Sequence, residues 1–243
     1  MIDLKQGDCL ELMKDSPDGS VDLILTDIPY LCGRKTNFKT IKDYTKKSGE
    51  TKYSCMDFGE WDKAFDLEKF VSESIRVLKK PSSMIVYCNW KQLNDIHELY
   101  KKYTKKTLQR EPRIGVWQKT NPSVFNMQRM AIQPYEFFIW LGVGKNMTFN
   151  NQRNGKPERL YFESATQRGY HPTLKNVKQL EHLVRTYTNE GDTVLDSCMG
   201  SGSTGVACMN TNRNFIGIEL DEGYFNIAKN RIEETKSQQV VFV

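Results

Sequence analysis

Long apolar runs and a secretory leader are both missing from this sequence. No run approaches the roughly 18–20 apolar residues that a membrane-spanning helix requires. The first residues, MIDLKQGDCL, contain neither the basic segment nor the apolar segment of a signal peptide. We therefore expect a globular protein of the cytoplasm that has no membrane partner.

Cysteine and histidine are too scarce and too scattered to indicate a metal centre or a disulfide framework. The chain has six cysteines and three histidines, and no two cysteines form a CxxC pair. Structural zinc sites usually draw their ligands from such closely spaced pairs. We expect reduced thiols, typical of the cytosol, and a chemistry that needs no metal.

Length and charge give weaker constraints. The 243 residues are enough for one large domain with a real core and too few for two comfortable ones. The net charge of +5 is a weak indication of a polyanionic partner, but its distribution is uneven. Seven Lys or Arg lie between residues 101 and 119 against one acid, and seven lie between residues 34 and 52 against two.

These two basic segments could line one groove for a phosphate backbone, or they could be ordinary solvated loops. The groove interpretation predicts ten contact residues: Arg34, Lys35, Lys39, Lys101, Lys102, Lys105, Lys106, Arg110, Arg113 and Lys119.

The order of predicted elements indicates an α/β fold. Apolar stretches such as VDLILTD (21–27) and TVLD (193–196) are typical of strands covered on both faces, and helical patterns follow them. Strand–helix alternation at both ends of the chain predicts a mostly parallel, Rossmann-like sheet. The pattern over residues 61–80 predicts a helix that ends at Pro81, and the polar residues 31–60 predict a long mobile loop. Residues 111–170 predict strands that are inserted at one edge of the sheet.

A glycine-rich turn lies near the C-terminus, in VLDSCMGSGSTGVA (194–207). Gly200, Gly202 and Gly205 match G-x-G-x-x-G between a strand and a helix, and Glu219 follows 19 residues after the first glycine. This pattern favours a nucleotide-like ligand at a helix N-terminus, with the acid on ribose hydroxyls. It does not identify NAD, because any adenosine-bearing ligand meets the same groups.

Too few residues follow Glu219 to complete a dinucleotide domain, so the remaining strands must come from the N-terminal part. That arrangement places the strand-end acids Asp8 and Asp27 in the same sheet as Asp196 and Glu219. Ligands of such sheets bind outside the carboxyl ends of the strands. We expect the four carboxylates to converge on one crevice.

Four motifs in a fixed order resemble a known family. TDIPY (26–30), HPTLKNV (171–177), VLDSCMGSGSTGVA and GIELDEGYF (217–225) look like the β-class amino-methyltransferases of DNA. Members of that family transfer a methyl group from S-adenosyl-L-methionine to the exocyclic amine of adenine or cytosine. The resemblance implies a circularly permuted methyltransferase fold, with the target-base loop first and the glycine turn last. It implies one catalytic domain over residues 1–243, with residues 101–165 reading the DNA target.

The resemblance also implies which residues hold S-adenosyl-L-methionine. The glycine turn would hold its methionine part, Glu219 the ribose and Asp8 the adenine amine, with Lys175 near the methionine carboxylate. The full set implied for the cofactor is Asp8, Cys9, Asp27, His171, Thr173, Lys175, Asp196, Cys198, Met199, Gly200, Ser201, Gly202, Thr204 and Glu219.

The implied catalytic residues are Asp27, Ile28, Pro29 and Tyr30. An aromatic amine is a poor nucleophile, and two acceptors on its N–H groups localise its lone pair. Asp27 would supply a carboxylate and Ile28 a backbone carbonyl, while Tyr30 would stack on the base after it is flipped out of the duplex. An aspartate at the first loop position indicates adenine N6, whereas cytosine-N4 enzymes of the class mostly carry serine there.

Three positions differ from the family pattern: Ile28 and Asn176 replace prolines, and Cys198 replaces a phenylalanine. Alternatives to adenine methylation are cytosine-N4 methylation, methylation of RNA or of protein glutamine, a non-catalytic DNA-binding relative and, more distantly, an NAD-dependent enzyme. Double-stranded DNA is the expected partner. A restriction endonuclease and a second copy of the chain are further candidate partners.

Overall fold

A computed structural model of the protein describes residues 1–30, 65–122, 133–165 and 174–240. Two compact units divide the chain. Met1–Ile28 and Leu67–Val243 form the first, and Pro29–Asp66 form the second. The first unit holds the sheet and the helices described below.

Among the described residues of the first unit, eight strands form one mixed sheet in the order β1-β8-β7-β2-β3-β5-β4-β6. The strands β1 to β8 are Ile2–Gln6, Val21–Asp27, Leu78–Cys88, Arg113–Lys119, Tyr135–Val143, Tyr161–Ser164, Thr193–Asp196 and Asn214–Glu219. The first five strands in this order, β1, β8, β7, β2 and β3, pair in parallel, and β5 is antiparallel to both β3 and β4. The predicted α/β fold with a mostly parallel sheet is confirmed.

Six α-helices in the described part of the chain accompany the sheet. The helices α1 to α6 are Cys9–Leu12, Leu67–Val77, Gln92–Tyr103, Val177–Tyr187, Ser203–Asn210 and Glu222–Val240. In α4 the side chains of Leu180, Leu183 and Val184 recur at helical spacing and are buried. The side chain of Asn176 caps this helix by accepting a hydrogen bond from the Gln179 N–H, which an N-cap proline could not do.

The central strands form the core. Leu23, Leu25 and Ile85 have no exposed surface, and they pack in one cluster with α4, α5 and α6. Their continuous apolar character fits strands that are covered on both faces. None of the described helices combines the length and apolarity needed to cross a membrane.

The prediction that Pro81 stops a helix is wrong. The helix α2 already ends at Val77, and Pro81 lies within β3. Pairing of β3 with β2 is interrupted between Leu78 and Ser83, so the ladder requires no N–H from Pro81.

The predicted position of the strands within residues 111–170 is confirmed. In the described part of that range, β5, β4 and β6 extend the common sheet beyond β3 and form one of its edges.

Candidate functional site

Four strands end side by side at the carboxyl edge of the parallel sheet. Glu219 pairs with the last residue of β1, and Asp196 pairs with Gly217 of β8. Asp8 follows β1 after one glycine, and Asp27 ends β2, which lies next to β7. The structure therefore brings the strand ends that carry the four predicted acids to one edge.

The glycine turn leads from β7 into α5 and requires glycine at two positions. Gly200 has φ +52° and Gly202 has φ +80°, which other residues rarely adopt. A Cβ on Gly202 would lie 2.9 Å from the Cβ of Ala228, so this glycine lets α6 approach. A Cβ on Gly200 would meet no atom within 4 Å. The backbone at Gly200 is therefore open to a ligand, whereas Gly202 serves packing.

Glu219 faces this turn from the end of β8. Its Oε2 accepts a hydrogen bond from the Gly200 N–H at 2.8 Å, and its Oε1 accepts one from the Asp221 N–H at 2.9 Å. Burial raises the pKa of this carboxyl above its ordinary value, and the two N–H groups oppose the shift. The carboxylate is thus fixed beside the open backbone of the turn.

Asp196 is the most buried acid at this edge, with 3% of its surface exposed. Its Oδ1 accepts hydrogen bonds from the Thr26 hydroxyl at 2.8 Å and from the Cys198 N–H at 3.2 Å. Desolvation raises the pKa of Asp196 to about 6, and hydrogen bonds from Thr204 and Thr26 limit the shift. Near neutral pH the Asp196 carboxyl is therefore ionised, and a bound cation would stabilise its negative charge.

Asp27 and Ile28 complete the end of β2. The side chain of Asp27 is 29% exposed, whereas Ile28 is buried and its N–H donates to the Tyr87 carbonyl at 3.2 Å. Pro29 and Tyr30 belong to the second compact unit, so their contribution stays a prediction.

Lys175 lies beside Asp27, a contact that the sequence did not predict. Its Nζ pairs with Oδ2 of Asp27 and, at 2.9 Å, with Oε2 of Glu136 in β5. Glu136 pairs in turn with Lys119 at the end of β4. The four charges alternate in sign, Lys119–Glu136–Lys175–Asp27, and we call this set the charge chain.

Aromatic rings lie against the two lysines of the charge chain. The Lys175 Nζ lies 5.0 Å from the ring centroid of Tyr87, and the Lys119 Nζ lies 5.2 Å from that of Trp117. Both rings are buried, at 1% and 0% exposure. Burial lowers the pKa of Lys175, but the carboxylates of Asp27 and Glu136 outweigh it and hold the pKa above its ordinary value.

The structure separates the basic residues at 101–119 from one another. Lys119 belongs to the charge chain, and the buried Glu136 carboxylate already compensates its positive charge. The other basic residues of this segment lie toward the amino-terminal edge of the sheet. Helix α3 runs back from the end of β3 toward that edge, and Arg113 is the first residue of β4. Arg113 is therefore about 20 Å along β4 from Lys119. This placement argues against one groove shared with Asp27.

Several of these side chains also have local partners. Lys101 pairs with Glu98 at 2.5 Å, Lys102 pairs with Glu68 at 2.6 Å, and the Arg110 Nε donates to the Gly144 carbonyl at 2.6 Å. The predicted residues Lys105 and Lys106 are exposed near the same edge. Predicted contacts that lie outside the described residues are Arg34, Lys35, Lys39, His171 and Thr173.

The other predicted cofactor residues lie around the turn. The Asp8 carboxylate accepts from the Leu10 N–H at 2.8 Å and caps α1. The neighbouring Cys9 thiol and burial raise the pKa of the Cys198 thiol well above its ordinary value. The Met199 N–H donates to the Ile218 carbonyl at 2.9 Å, while Ser201 accepts from Arg231.

Two residues of this edge were not predicted from the sequence. Glu136 lies in an apolar strand, YEFFIWLGV, and an isolated acid in such a strand could have indicated a functional residue. Trp90 follows the end of β3 with 62% of its surface exposed, and the Lys91 Nζ lies 5.7 Å from its ring centroid. An exposed large aromatic residue beside a cation is typical of a nucleic-acid contact.

Comparison with known proteins relates this arrangement to a family. The family model described as DNA methylase matches residues 21–230. The chain is 31% identical over 229 residues to YubD of Escherichia coli strain K12, covering 93% of this chain and 88% of that protein. It is 27% identical to the type II methyltransferase M.HinfI of Haemophilus influenzae, covering 95% and 68%.

Solved structures agree with the sequence comparison. The M1.HpyAVI–SAM complex superposes with a TM-score of 0.71 at 28% identity, covering 96% of this chain and 99% of that one. The cytosine-N4-specific PvuII DNA methyltransferase, at 15% identity and a TM-score of 0.65, shares the fold. Since the family model spans most of the sequence, the chain belongs to the DNA methylase family.

Proposed function

We propose that the protein transfers a methyl group from S-adenosyl-L-methionine to the N6 amine of adenine in a specific double-stranded DNA sequence, after the base is flipped out. The observation that carries this proposal is the position of Asp27, at the end of a strand beside the glycine turn, in a chain of the DNA methylase family. A carboxylate there can accept a hydrogen bond from an exocyclic amine.

We further propose that the chain is a circularly permuted, β-class member. The strand that carries Asp27 comes early in the sequence, and the strand that leads into the glycine turn comes late, yet the two are neighbours in the sheet. Residues 1–243 would form one catalytic domain. The loop predicted at residues 31–60 lies outside the described residues. Part of residues 101–165 would contribute to target recognition.

The described residues fit S-adenosyl-L-methionine. Gly200 leaves space next to its backbone, and the carboxylate of Glu219 is held beside it as a hydrogen-bond acceptor. Asp196 supplies a buried negative charge for a cationic ligand. The cofactor supplies an electrophilic methyl group when it is bound. Asp8, which follows the neighbouring strand β1, would accept from the adenine amine of the cofactor.

The chain's own task is to prepare and orient the amine. Asp27 and the Ile28 carbonyl would accept its two N–H groups, which localises the nitrogen lone pair toward the methyl group. Such catalysis consists mainly of positioning and of acceptors matched to developing positive charge. Pro29 and Tyr30 would hold and stack the flipped base.

The direct test is product analysis. The protein is incubated with genomic DNA that lacks methylated bases and with isotopically labelled S-adenosyl-L-methionine, and the DNA is then digested to nucleosides for mass spectrometry. Labelled N6-methyladenine is the expected product. Labelled N4-methylcytosine alone would overturn the base assignment and leave DNA methylation standing, whereas label in RNA or protein but not in DNA would overturn the proposed substrate.

Glu219→Ala should weaken binding of S-adenosyl-L-methionine. A carboxylate that accepts hydrogen bonds from ribose hydroxyls contributes about 1.5–3 kcal/mol, which corresponds to roughly a 10- to 150-fold rise in Kd. Calorimetry measures this change, and DNA binding should be unaffected. Glu222→Ala, in the adjacent first turn of α6, is a matched control. An unchanged Kd in Glu219→Ala would remove this residue from the cofactor site.

Acidification should lower the affinity for the cofactor, because the Asp196 carboxylate takes up a proton. Its pKa of about 6 means that the carboxyl takes up a proton below pH 6, and a cationic ligand favours the ionised form. Between pH 7 and pH 5 the Kd should rise about tenfold. Asp196→Asn should bind more weakly with a flat profile over this range. A flat profile in the wild type would place the cation away from Asp196.

DNA should lie at the carboxyl edge of the sheet. Lys91→Gln should reduce the slope of log Kd against log salt by about 0.9, the amount expected for one lost phosphate contact. The matched control is Lys105→Gln at the opposite edge, and fluorescence anisotropy measures both. If Lys105→Gln lowers the slope and Lys91→Gln does not, the duplex binds at the amino-terminal edge.

A further inference from the structure

The charge chain ends at the proposed catalytic acid and begins at a residue far from it in sequence. Asp27 ends β2, Glu136 and Lys119 come from β5 and β4, and Lys175 precedes α4. Strand β3 lies between β2 and β5, so Lys175 bridges two carboxylates across it. We propose that Glu136 is a positioning residue, which holds the Lys175 ammonium so that this group fixes the orientation of the Asp27 carboxylate.

The first argument is geometric. A lysine ammonium is a compact charge on a flexible stem, and it does not orient a carboxylate unless it is itself fixed. Glu136 supplies this second point of attachment at 2.9 Å, and the Tyr87 ring covers the ammonium from another side at 5.0 Å. Lys119 in turn holds Glu136.

The second argument is the balance of charge. Lys175 is buried at 8% exposure and has two anionic partners, so its attraction is divided between them. If Glu136 were neutral, the ammonium would lose one of its charged anchors, and Lys175 and Asp27 could shift together. Glu136 therefore keeps the Asp27 carboxylate in its orientation without touching the substrate.

The side-chain environment of Glu136 supports this function. Only 11% of its side chain is exposed, and a buried carboxylate needs charged or hydrogen-bonding partners. Burial alone would raise the pKa of Glu136, but Lys175 and Lys119 outweigh this effect and hold the pKa below its ordinary value. The group is therefore ionised across the neutral range.

The kinetic test is Glu136→Gln, which keeps the shape of the side chain and removes its charge. This test rests on the proposed methyltransferase activity. We expect kcat to fall 10- to 100-fold, with the KM for S-adenosyl-L-methionine within twofold of the wild type and an unchanged circular dichroism spectrum. Glu136→Asp restores the charge and should recover part of the rate. Glu98→Gln, the same change on the exposed face of α3, should keep the full rate.

Two results would overturn the inference. One is a kcat within twofold of the wild type in Glu136→Gln. The other is a parallel loss of kcat, cofactor affinity and melting temperature that Glu136→Asp does not reverse, which would indicate a merely structural residue.

A crystal structure of Glu136→Gln separates this inference from the proposed function. The Asp27 carboxylate should rotate or occupy two conformers, because Lys175 has lost its second anchor. An Asp27–Lys175 pair that stays in place would contradict the inference even if the wild type methylates DNA. If the wild type transfers no methyl group, the proposed function fails, and the movement of Asp27 still decides whether Glu136 positions it.

Discussion

Asp27→Asn should lower the rate of methyl transfer about a thousandfold while cofactor binding remains nearly intact. The amide keeps the shape of the side chain and one acceptor oxygen, but it loses the negative charge that stabilises the amine as that group becomes positive. Losses of this size are typical when a group that acts chiefly in the transition state is removed. Single-turnover measurement with saturating cofactor and DNA gives the rate of the chemical step, and calorimetry gives cofactor affinity.

The fold should tolerate Asp27→Asn, because Lys175 keeps Glu136 as an anionic partner. Asp22→Asn is a matched control, since Asp22 lies on the same strand about 16 Å from Asp27 and accepts from Lys79 at 2.8 Å. The control should transfer methyl groups at the wild-type rate. A rate for Asp27→Asn within tenfold of the wild type would mean that another group accepts the amine hydrogen.

The parallel strands and the glycine turn were predictable from local patterns. Buried strands such as β2 and β7 are short apolar runs bounded by turn residues, and a helix N-terminus after glycines has few other interpretations. The position of Asp27 next to β7 followed from counting strands, because the C-terminal part alone could not complete the sheet. These features depend on neighbouring residues or on topology, and both can be read along the chain.

The charge chain was not predictable, because its members come from four separate segments. Lys119 was assigned to DNA because seven basic residues crowd residues 101–119, but a count along the sequence does not show which ammonium turns toward a buried acid. Lys175 was assigned to the cofactor carboxylate by resemblance, and in the structure it contacts Asp27 and Glu136. Strand β6, with only four residues and alternating exposure, gave too short a pattern to detect.

The direction of the strands separates the residues of the basic segment at 101–119. The sequence predicted strands near residues 113 and 135 but not their orientation, so it could not show that α3 carries Lys101 and Lys102 away from the carboxyl edge. That edge instead presents Trp90 and Lys91 after β3.

Lys175→Met should destabilise the folded protein by about 3–5 kcal/mol at pH 7, the range observed when one partner of a buried ion pair is removed. Lys175 lies between two carboxylates, and Asp27 and Glu136 would be left as neighbouring anions in a site walled by Tyr87 and Trp117. Methionine fills a similar volume, so little of the effect comes from a cavity. Urea unfolding followed by circular dichroism measures the difference.

The double variant Lys175→Met/Glu136→Leu tests whether charge imbalance causes this loss. It removes one cation and one anion, and it should recover part of the stability lost in the single variant.

Acidification provides a second check. The lysines hold the pKa of Glu136 below its ordinary value, so the stability that they contribute is present above the unfolded-state pKa near 4.5 and is lost as the pH falls through the folded-state value. The deficit of Lys175→Met should therefore shrink toward acidic pH, as the Glu136 carboxyl takes up a proton. A deficit below about 1 kcal/mol at pH 7 would mean that solvent screens the ammonium, as it does at surface pairs. A large deficit that does not change with pH would point to lost packing against the Tyr87 ring instead of lost charge.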